Sequence, residues 1–212
     1  MIFYMNTEFP KKIADNVTLF SSDPIIYVVD DLISEDECQE FINCSKDKLQ
    51  PATVVGLKEE RKLQDRTNEF AWLEHHANES IHEVSKRLSI LVQMPIRNAE
   101  MFQVVHYESG TEYKPHFDSF DQSTELGKKY WEPGGQRMIT ALIYLNDVED
   151  GGATYFPELN ISINPKKGNV LVFHNTISET TNINPRSLHA GMPVTSGEKW
   201  AANLWFRENL RY

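Results

Sequence analysis

Two rhythms of apolar and polar positions divide the chain. In the segment LISEDECQEFINCSKDKL, Glu37 follows Ser34 by three residues, a capping box that opens a helix; Cys38, Phe41, Ile42 and Ser45 then line one narrow buried face. A second helix starts after Asn78, carries Ile81, Val84, Leu88 and Leu91 as its stripe, and ends before Pro95. A strand at IIYVV (25–29) precedes both helices. From Asn98 onward the period becomes two. The runs AEMFQVVHY, RMITALIYL, ATYF, NISI, NVLVF and KWAANLWFRE are rich in β-branched and aromatic residues, and Gly, Pro, Asn and Asp separate them, as in a sandwich or barrel. The expected fold class is α+β, mainly β: a jelly-roll core with supporting N-terminal helices. One domain is expected over 1–212, with 1–97 supplying helices and first strands and 98–212 the core. The stretch SFDQSTELGKKYWEPGGQR (119–137) reads as a long polar loop.

Composition narrows the function classes. With 40% hydrophobic and 25% charged residues in 212, the chain can bury a full core. A formal charge of −10 argues against nucleic acid as a partner, because phosphate binding needs a basic stripe. The N-terminus MIFYMNTEFPKK has no basic region followed by an apolar core, and no apolar run reaches membrane-spanning length. Cys38 and Cys44 fall six positions apart in one helix, poorly placed for a disulfide. Free thiols suit a reducing compartment, and the expected location is the cytoplasm, away from membranes.

The chemistry concentrates in HYESGTEYKPHFDSF (106–120). His116 and Asp118 stand two apart, so in an extended segment they share a face and can reach one ion, or form a surface hydrogen bond. His189, in PRSLHAGMPVTSGEKW, offers a second imidazole; two histidines and one carboxylate form the facial triad of non-haem iron(II), which leaves open coordination positions. Zinc hydrolases also use such ligands, but no HExxH pattern is present. Lys199 opens the apolar strand KWAANLWFRE, where it must either reach solvent or meet an anion. By parity Lys199, Ala201, Asn203 and Trp205 share one face of that strand, and Trp200, Ala202 and Leu204 the other. Thr140, Leu142 and Tyr144 likewise share a face of RMITALIYL, where Thr and Tyr are also ordinary sheet residues. His75, His76, His82, His106 and His174 show no ligand spacing with a carboxylate, and His106 points away from the face of Tyr107.

The order HxD, then His, then Lys ten residues later resembles the prolyl 4-hydroxylase branch of the iron(II) and 2-oxoglutarate dependent dioxygenases. YESGTEYKPHFD (107–118), RMITALIYLNDVEDGGATYFP (137–157), NPKKGNVLVFHN (164–175) and LHAGMPVTSGEKWAANLWFRE (188–208) are similar to that family in order and spacing, and cover most of 98–208. LISEDECQEFI and DRTNEFAWL (65–73) resemble it more faintly.

The resemblance implies a double-stranded β-helix and a set of roles. His116, Asp118 and His189 would hold iron(II), and 2-oxoglutarate would chelate it, leaving one position for dioxygen. Lys199 would pair with the distal carboxylate of 2-oxoglutarate, helped by Tyr107 and Thr140, with Tyr144 on the same wall. Arg66, Asn68, Glu100, Tyr113 and Trp205 would contact a proline-containing peptide or protein, and ascorbate would serve as reductant. The family usually has serine or threonine where this chain has Asn68, which bears on peptide preference. Asp118 favours hydroxylation, since related halogenases lack the carboxylate. The implied reaction is prolyl hydroxylation with decarboxylation of 2-oxoglutarate to succinate. The alternatives are hydroxylation of a free amino acid or other small molecule, and a catalytically silent module that binds proline-rich segments.

Overall fold

The computed structural model describes residues 9–51 and 67–211. In chain order its elements are β1 (Lys11–Ala14), β2 (Val17–Ser22), β3 (Ile25–Val29), α1 (Glu35–Ser45), β4 (Gln50–Pro51), β5 (Glu69–Leu73) and α2 (Glu79–Val92). They are followed by β6 (Phe102–Tyr107), β7 (Tyr113–His116), α3 (Glu125–Trp131), β8 (Arg137–Tyr144), β9 (Asp150–Gly151), β10 (Thr154–Phe156) and β11 (Ile161–Ile163). The last four are β12 (Val170–His174), β13 (His189–Gly191), β14 (Val194–Ser196) and β15 (Lys199–Arg207). A nine-stranded sheet runs β1-β2-β3-β12-β8-β15-β6-β5-β4, and a four-stranded sheet runs β11-β10-β13-β7. The pairings are antiparallel throughout, and the fold is the jelly roll expected from the period-two pattern.

The large sheet is covered on both faces, so its central strands carry two apolar faces instead of one. One face packs on the helices: Trp200, Ala202 and Leu204 of β15, with Ile139, Ala141 and Ile143 of β8, meet Phe41 of α1 and Ile81, Val84 and Leu88 of α2. The other faces the small sheet, where Leu142, Tyr144, Phe173 and Ala201 meet Phe156 and Ile163. Each Leu, Ile, Val or Phe among them contributes about 1.5–3 kcal/mol by leaving water. This division along β15 matches the parity read from KWAANLWFRE. Its consequence is that Lys199, Asn203 and Trp205 face the space between the sheets.

Local signals hold the helices in place. Ser34 Oγ accepts from the Glu37 amide at 3.2 Å and the Ser34 amide donates back to Glu37 Oε2 at 2.8 Å, so the capping box is formed. The same Glu37 carboxylate receives both terminal nitrogens of Arg87 at 2.9 Å, tying α1 to α2. Asn78 caps α2 by accepting from the Ile81 amide at 2.9 Å. Cys38 and Cys44, both on α1, are free.

One expectation changes. The stretch 119–137 is not loop throughout, since it contains α3, capped by Thr124 Oγ1 accepting from the Gly127 amide at 2.9 Å. The only buried residue of α3 is Gly127, so no apolar stripe announces it. Its C-terminal carbonyls at Tyr130 and Trp131 instead accept from the buried guanidinium of Arg207, at 2.7 and 3.3 Å.

Candidate active site

The cross-strand register of the small sheet brings the two ligand-bearing histidines together. His116 ends β7, His189 opens β13, and the two are direct partners in that ladder, with ring centroids 4.4 Å apart. Asp118 lies just beyond β7, with Oδ1 3.8 Å from His116 Nε2 and Oδ2 3.7 Å from His189 Nε2. One ligand atom from each of the three residues lies within 4.8 Å of the others, the only such cluster of His, Cys, Asp and Glu among the described residues.

The donor set fits a metal ion. His116 Nδ1 contacts the Lys114 carbonyl at 2.8 Å and His189 Nδ1 contacts the Ser187 carbonyl at 3.0 Å. A carbonyl oxygen can only accept, so both Nδ1 atoms donate and both Nε2 atoms are left facing Asp118. Burial pushes the Asp118 carboxyl up, but His189, His116 and Arg137 outweigh it and hold its pKa below the ordinary value. The result is an ionised carboxylate beside the Nε2 atoms of two oriented imidazoles.

Above the ligands is a cavity of about 960 Å³ lined by, among others, Tyr107, Asp118, Thr154, His189, Lys199 and Trp205. Lys199 lies on β15 opposite Tyr107 on β6, and is only 3% exposed. Its ammonium donates to the Gly152 carbonyl at 2.6 Å and lies 5.3 Å from the Tyr107 ring centroid, with no carboxylate beside it among the described residues. Burial lowers its pKa to about 8. A buried cation held only by a carbonyl and ring faces retains a strong electrostatic demand for an anion. Gly191 lets Tyr107 come close, since a Cβ there would stand 3.3 Å from the Tyr107 hydroxyl.

Other predicted residues fall in different places. Thr140 is fully buried and donates to Asp118 Oδ2 at 2.7 Å, so its hydroxyl serves the ligand carboxylate. Thr154 lines the same cavity as Lys199; it accepts from the Tyr144 hydroxyl at 2.9 Å and follows Gly152, whose carbonyl Lys199 binds, by two residues. Tyr144 is thus committed to Thr154, and burial pushes its pKa up. Tyr113 stacks on the His116 ring, centroids 3.5 Å apart. Trp205 lies under the Arg137 guanidinium at 3.6 Å, and its buried indole N–H helps to lower the Asp118 pKa. Glu100 is no free groove carboxylate: Arg137 binds it through two nitrogens at 2.7 and 2.8 Å and Arg207 at 3.0 Å. Asn68 is buried, its amide donating to the Glu69 carbonyl at 2.9 Å. Arg66 lies outside the described residues.

His106 faces away from the ligands, stacked on Trp200 at 4.3 Å and bonded to Glu198 at 2.7 Å. Sequence reasoning missed Arg137, Thr154, Asn175 and Arg207. The sign that exposed Lys199, a charge entering an apolar strand, also marks Arg137 and Arg207 at the two ends of theirs.

A jelly roll with two histidines and a carboxylate at the mouth of its small sheet is the architecture of a metal-dependent oxygenase. The sequence model described as the 2OG-Fe(II) oxygenase superfamily matches residues 102–207. A relative from Acanthamoeba polyphaga mimivirus, provisionally named a prolyl 4-hydroxylase, is 39% identical over 182 residues, covering 86% of this chain and 74% of that protein. Prolyl 4-hydroxylase 5 of Arabidopsis thaliana is 34% identical over 211 residues, covering 90% of this chain and 70% of that one. A crystal structure of a viral collagen prolyl hydroxylase from Paramecium bursaria Chlorella virus-1, in complex with 2-oxoglutarate, superposes with a TM-score of 0.68. It is 30% identical to this chain, over 86% of this chain and 95% of that one. The chain belongs to the prolyl 4-hydroxylase family of the 2-oxoglutarate and iron(II) dependent oxygenases. It is a 2-oxoglutarate dependent dioxygenase, with iron(II) as its metal.

Proposed function

We propose that the protein hydroxylates prolyl residues within a peptide or protein, converting 2-oxoglutarate and dioxygen to succinate and carbon dioxide as it does so. The observation that carries this reading is the pairing, in one cavity, of the His116, Asp118 and His189 cluster with a buried Lys199 that has no carboxylate partner among the described residues. Iron(II) held by those three residues supplies the oxidation chemistry.

The chain's own residues do the rest. Lys199 receives the distal carboxylate of 2-oxoglutarate, and the hydroxyls of Tyr107 and Thr154 turn toward the same group, giving charge-assisted bonds in a site shielded from water. The ring of Tyr113, stacked on His116, and the Arg137-backed face of Trp205 offer flat apolar surfaces to a proline ring. Trp72, Phe117 and Tyr130 are exposed and line the cavity, extending an aromatic lip along which an extended proline-containing segment can lie. Arg66 and Asn68 belong to the same reading as contacts to that segment. Ascorbate would keep the metal reduced between turnovers. No helix among the described residues is long and apolar enough to cross a membrane, and the free Cys38 and Cys44 favour a reducing compartment such as the cytoplasm. The formal charge of −10 argues against nucleic acid as a partner. The full chain acts as one dioxygenase domain, with α1 and α2 bracing the outer face of the sheet that carries Lys199.

The test is incubation with iron(II), 2-oxoglutarate, ascorbate and a proline-rich peptide library. A mass gain of one oxygen on prolyl residues, with matching succinate, is the expected result. Oxidation of free proline without peptide product would replace the peptide substrate by a small molecule, and binding of peptides without succinate would make the protein a recognition module.

A further inference from the structure

A buried chain of hydrogen bonds reaches the carboxylate of the cluster from one residue at the end of β12. Asn175 is fully buried, and its side-chain amide donates to Thr140 Oγ1 at 2.9 Å, while Thr140 donates to Asp118 Oδ2 at 2.7 Å. The Asn175 backbone carbonyl accepts from Ser119 Oγ, next in sequence to Asp118, at 3.2 Å. The Ser187 hydroxyl donates to the Asn184 carbonyl at 2.7 Å, and the Ser187 carbonyl accepts from His189 Nδ1 at 3.0 Å. The Asn175 side chain thus reaches Asp118 through Thr140.

The direction of these bonds is forced. The ionised Asp118 carboxylate can only accept, so the Thr140 hydroxyl must spend its single proton there. Thr140 Oγ1 then needs a donor, and only the NH₂ end of Asn175 supplies one, which fixes an amide orientation that shape alone leaves open. Asn175 Oδ1 is left buried and without a partner, so the arrangement gives up one hydrogen bond to keep the donor in place. A hydroxyl clamped in this sense fixes the orientation of the Asp118 carboxylate, as an outer hydrogen-bond partner of a metal ligand would.

We propose that Asn175 is a positioning residue of the metal centre, acting through Thr140 on Asp118. This rests on the metal reading of the cluster. Asn175→Asp keeps the size of the side chain but replaces the donor by an acceptor, so Thr140 is pulled off Asp118. Thr140→Val removes the hydroxyl with nearly unchanged shape, introduces no charge, and carries the test if Asn175→Asp does not fold. Thr140→Ser keeps the hydroxyl.

The experiment titrates cobalt(II) into the full-length protein and records its visible absorption alongside thermal unfolding. Wild type and Thr140→Ser are expected to bind alike. Thr140→Val and Asn175→Asp should bind about 10–100-fold more weakly, the usual consequence of losing an outer partner of a ligand, with shifted absorption bands. Loss of thermal stability with the affinity and spectrum of wild type would make the network merely structural and overturn the proposal. A wild-type chain that takes up no cobalt would overturn the metal reading itself, and the proposal with it.

Discussion

His116 and His189 are cross-strand partners in the β7–β13 ladder, and their rings meet at a centroid distance of 4.4 Å. The pairing places two imidazoles from remote parts of the chain on one side of Asp118, each with its Nδ1 proton already committed to a carbonyl. The ligand set is therefore oriented by the backbone of the small sheet.

His116→Ala and Asp118→Ala should each abolish iron binding and lower turnover by more than about 100-fold, beyond the upper range for outer-shell changes. Circular dichroism should stay that of the wild type, because both residues lie at the edge of the small sheet and outside the two apolar clusters. Stoichiometric metal in either variant would refute the assignment.

Lys199→Ala should raise the 2-oxoglutarate requirement about 10- to 150-fold, the equivalent of one hydrogen bond to a charged group at about 1.5–3 kcal/mol. Unchanged half-saturation would mean that another cation holds the distal carboxylate.

The same lysine sets a pH dependence. Burial lowers its pKa to about 8 in the protein, against about 10.4 for an ordinary lysine. An anion must find it protonated, so 2-oxoglutarate affinity should fall as pH rises above about 8, with one proton taken up per molecule bound. Stability moves the other way. Between about 8 and about 10.4 the unfolded chain holds more protons at this group, so its contribution to stability rises with pH. Calorimetric titration in buffers of different ionisation heat measures the uptake.

Glu100→Gln should destabilise the fold by about 3–5 kcal/mol, since it leaves the buried Arg137 and Arg207 guanidiniums without their carboxylate. Burial pushes the Glu100 pKa up, but the two arginines outweigh it and hold it below the ordinary value. Its stabilising contribution is therefore present above the ordinary carboxylate range and lost as pH falls through the lowered value. Acid unfolding of the wild type and the variant should converge at low pH. Arg207 also holds the Tyr130 and Trp131 carbonyls, so protease nicking within 119–136 should increase in Glu100→Gln.

His174→Asn is the control. His174 is half-buried at the end of β12, does not line the cavity, and has its pKa lowered by burial. Metal stoichiometry and half-saturation by 2-oxoglutarate should match the wild type. Loss of metal would require a third histidine in the account.

Much of this protein could be read from its sequence. Strand parity put Lys199, Ala201, Asn203 and Trp205 on one face and Trp200, Ala202 and Leu204 on the other, because a side-chain period of two survives whatever the strand pairs with. The capping box at Ser34 and the stripe of the second helix were equally local. The short α3 was not, since its capping and its single buried glycine leave no apolar rhythm, and its C-terminal carbonyls are satisfied by Arg207 from the far end of the chain.

The site divides in the same way. Residue type and spacing singled out His116, Asp118, His189 and Lys199, because metal and anion chemistry restricts which side chains can serve. Tertiary structure alone decided that Thr140 bonds to Asp118 while Lys199 binds the Gly152 carbonyl, that Glu100 is consumed by two arginines, and that Asn175 reaches Asp118 through Thr140. Those assignments depend on hydrogen bonds between β8, β12 and the segment after β7, and such long-range partnerships leave no periodic trace in any of the segments that make them.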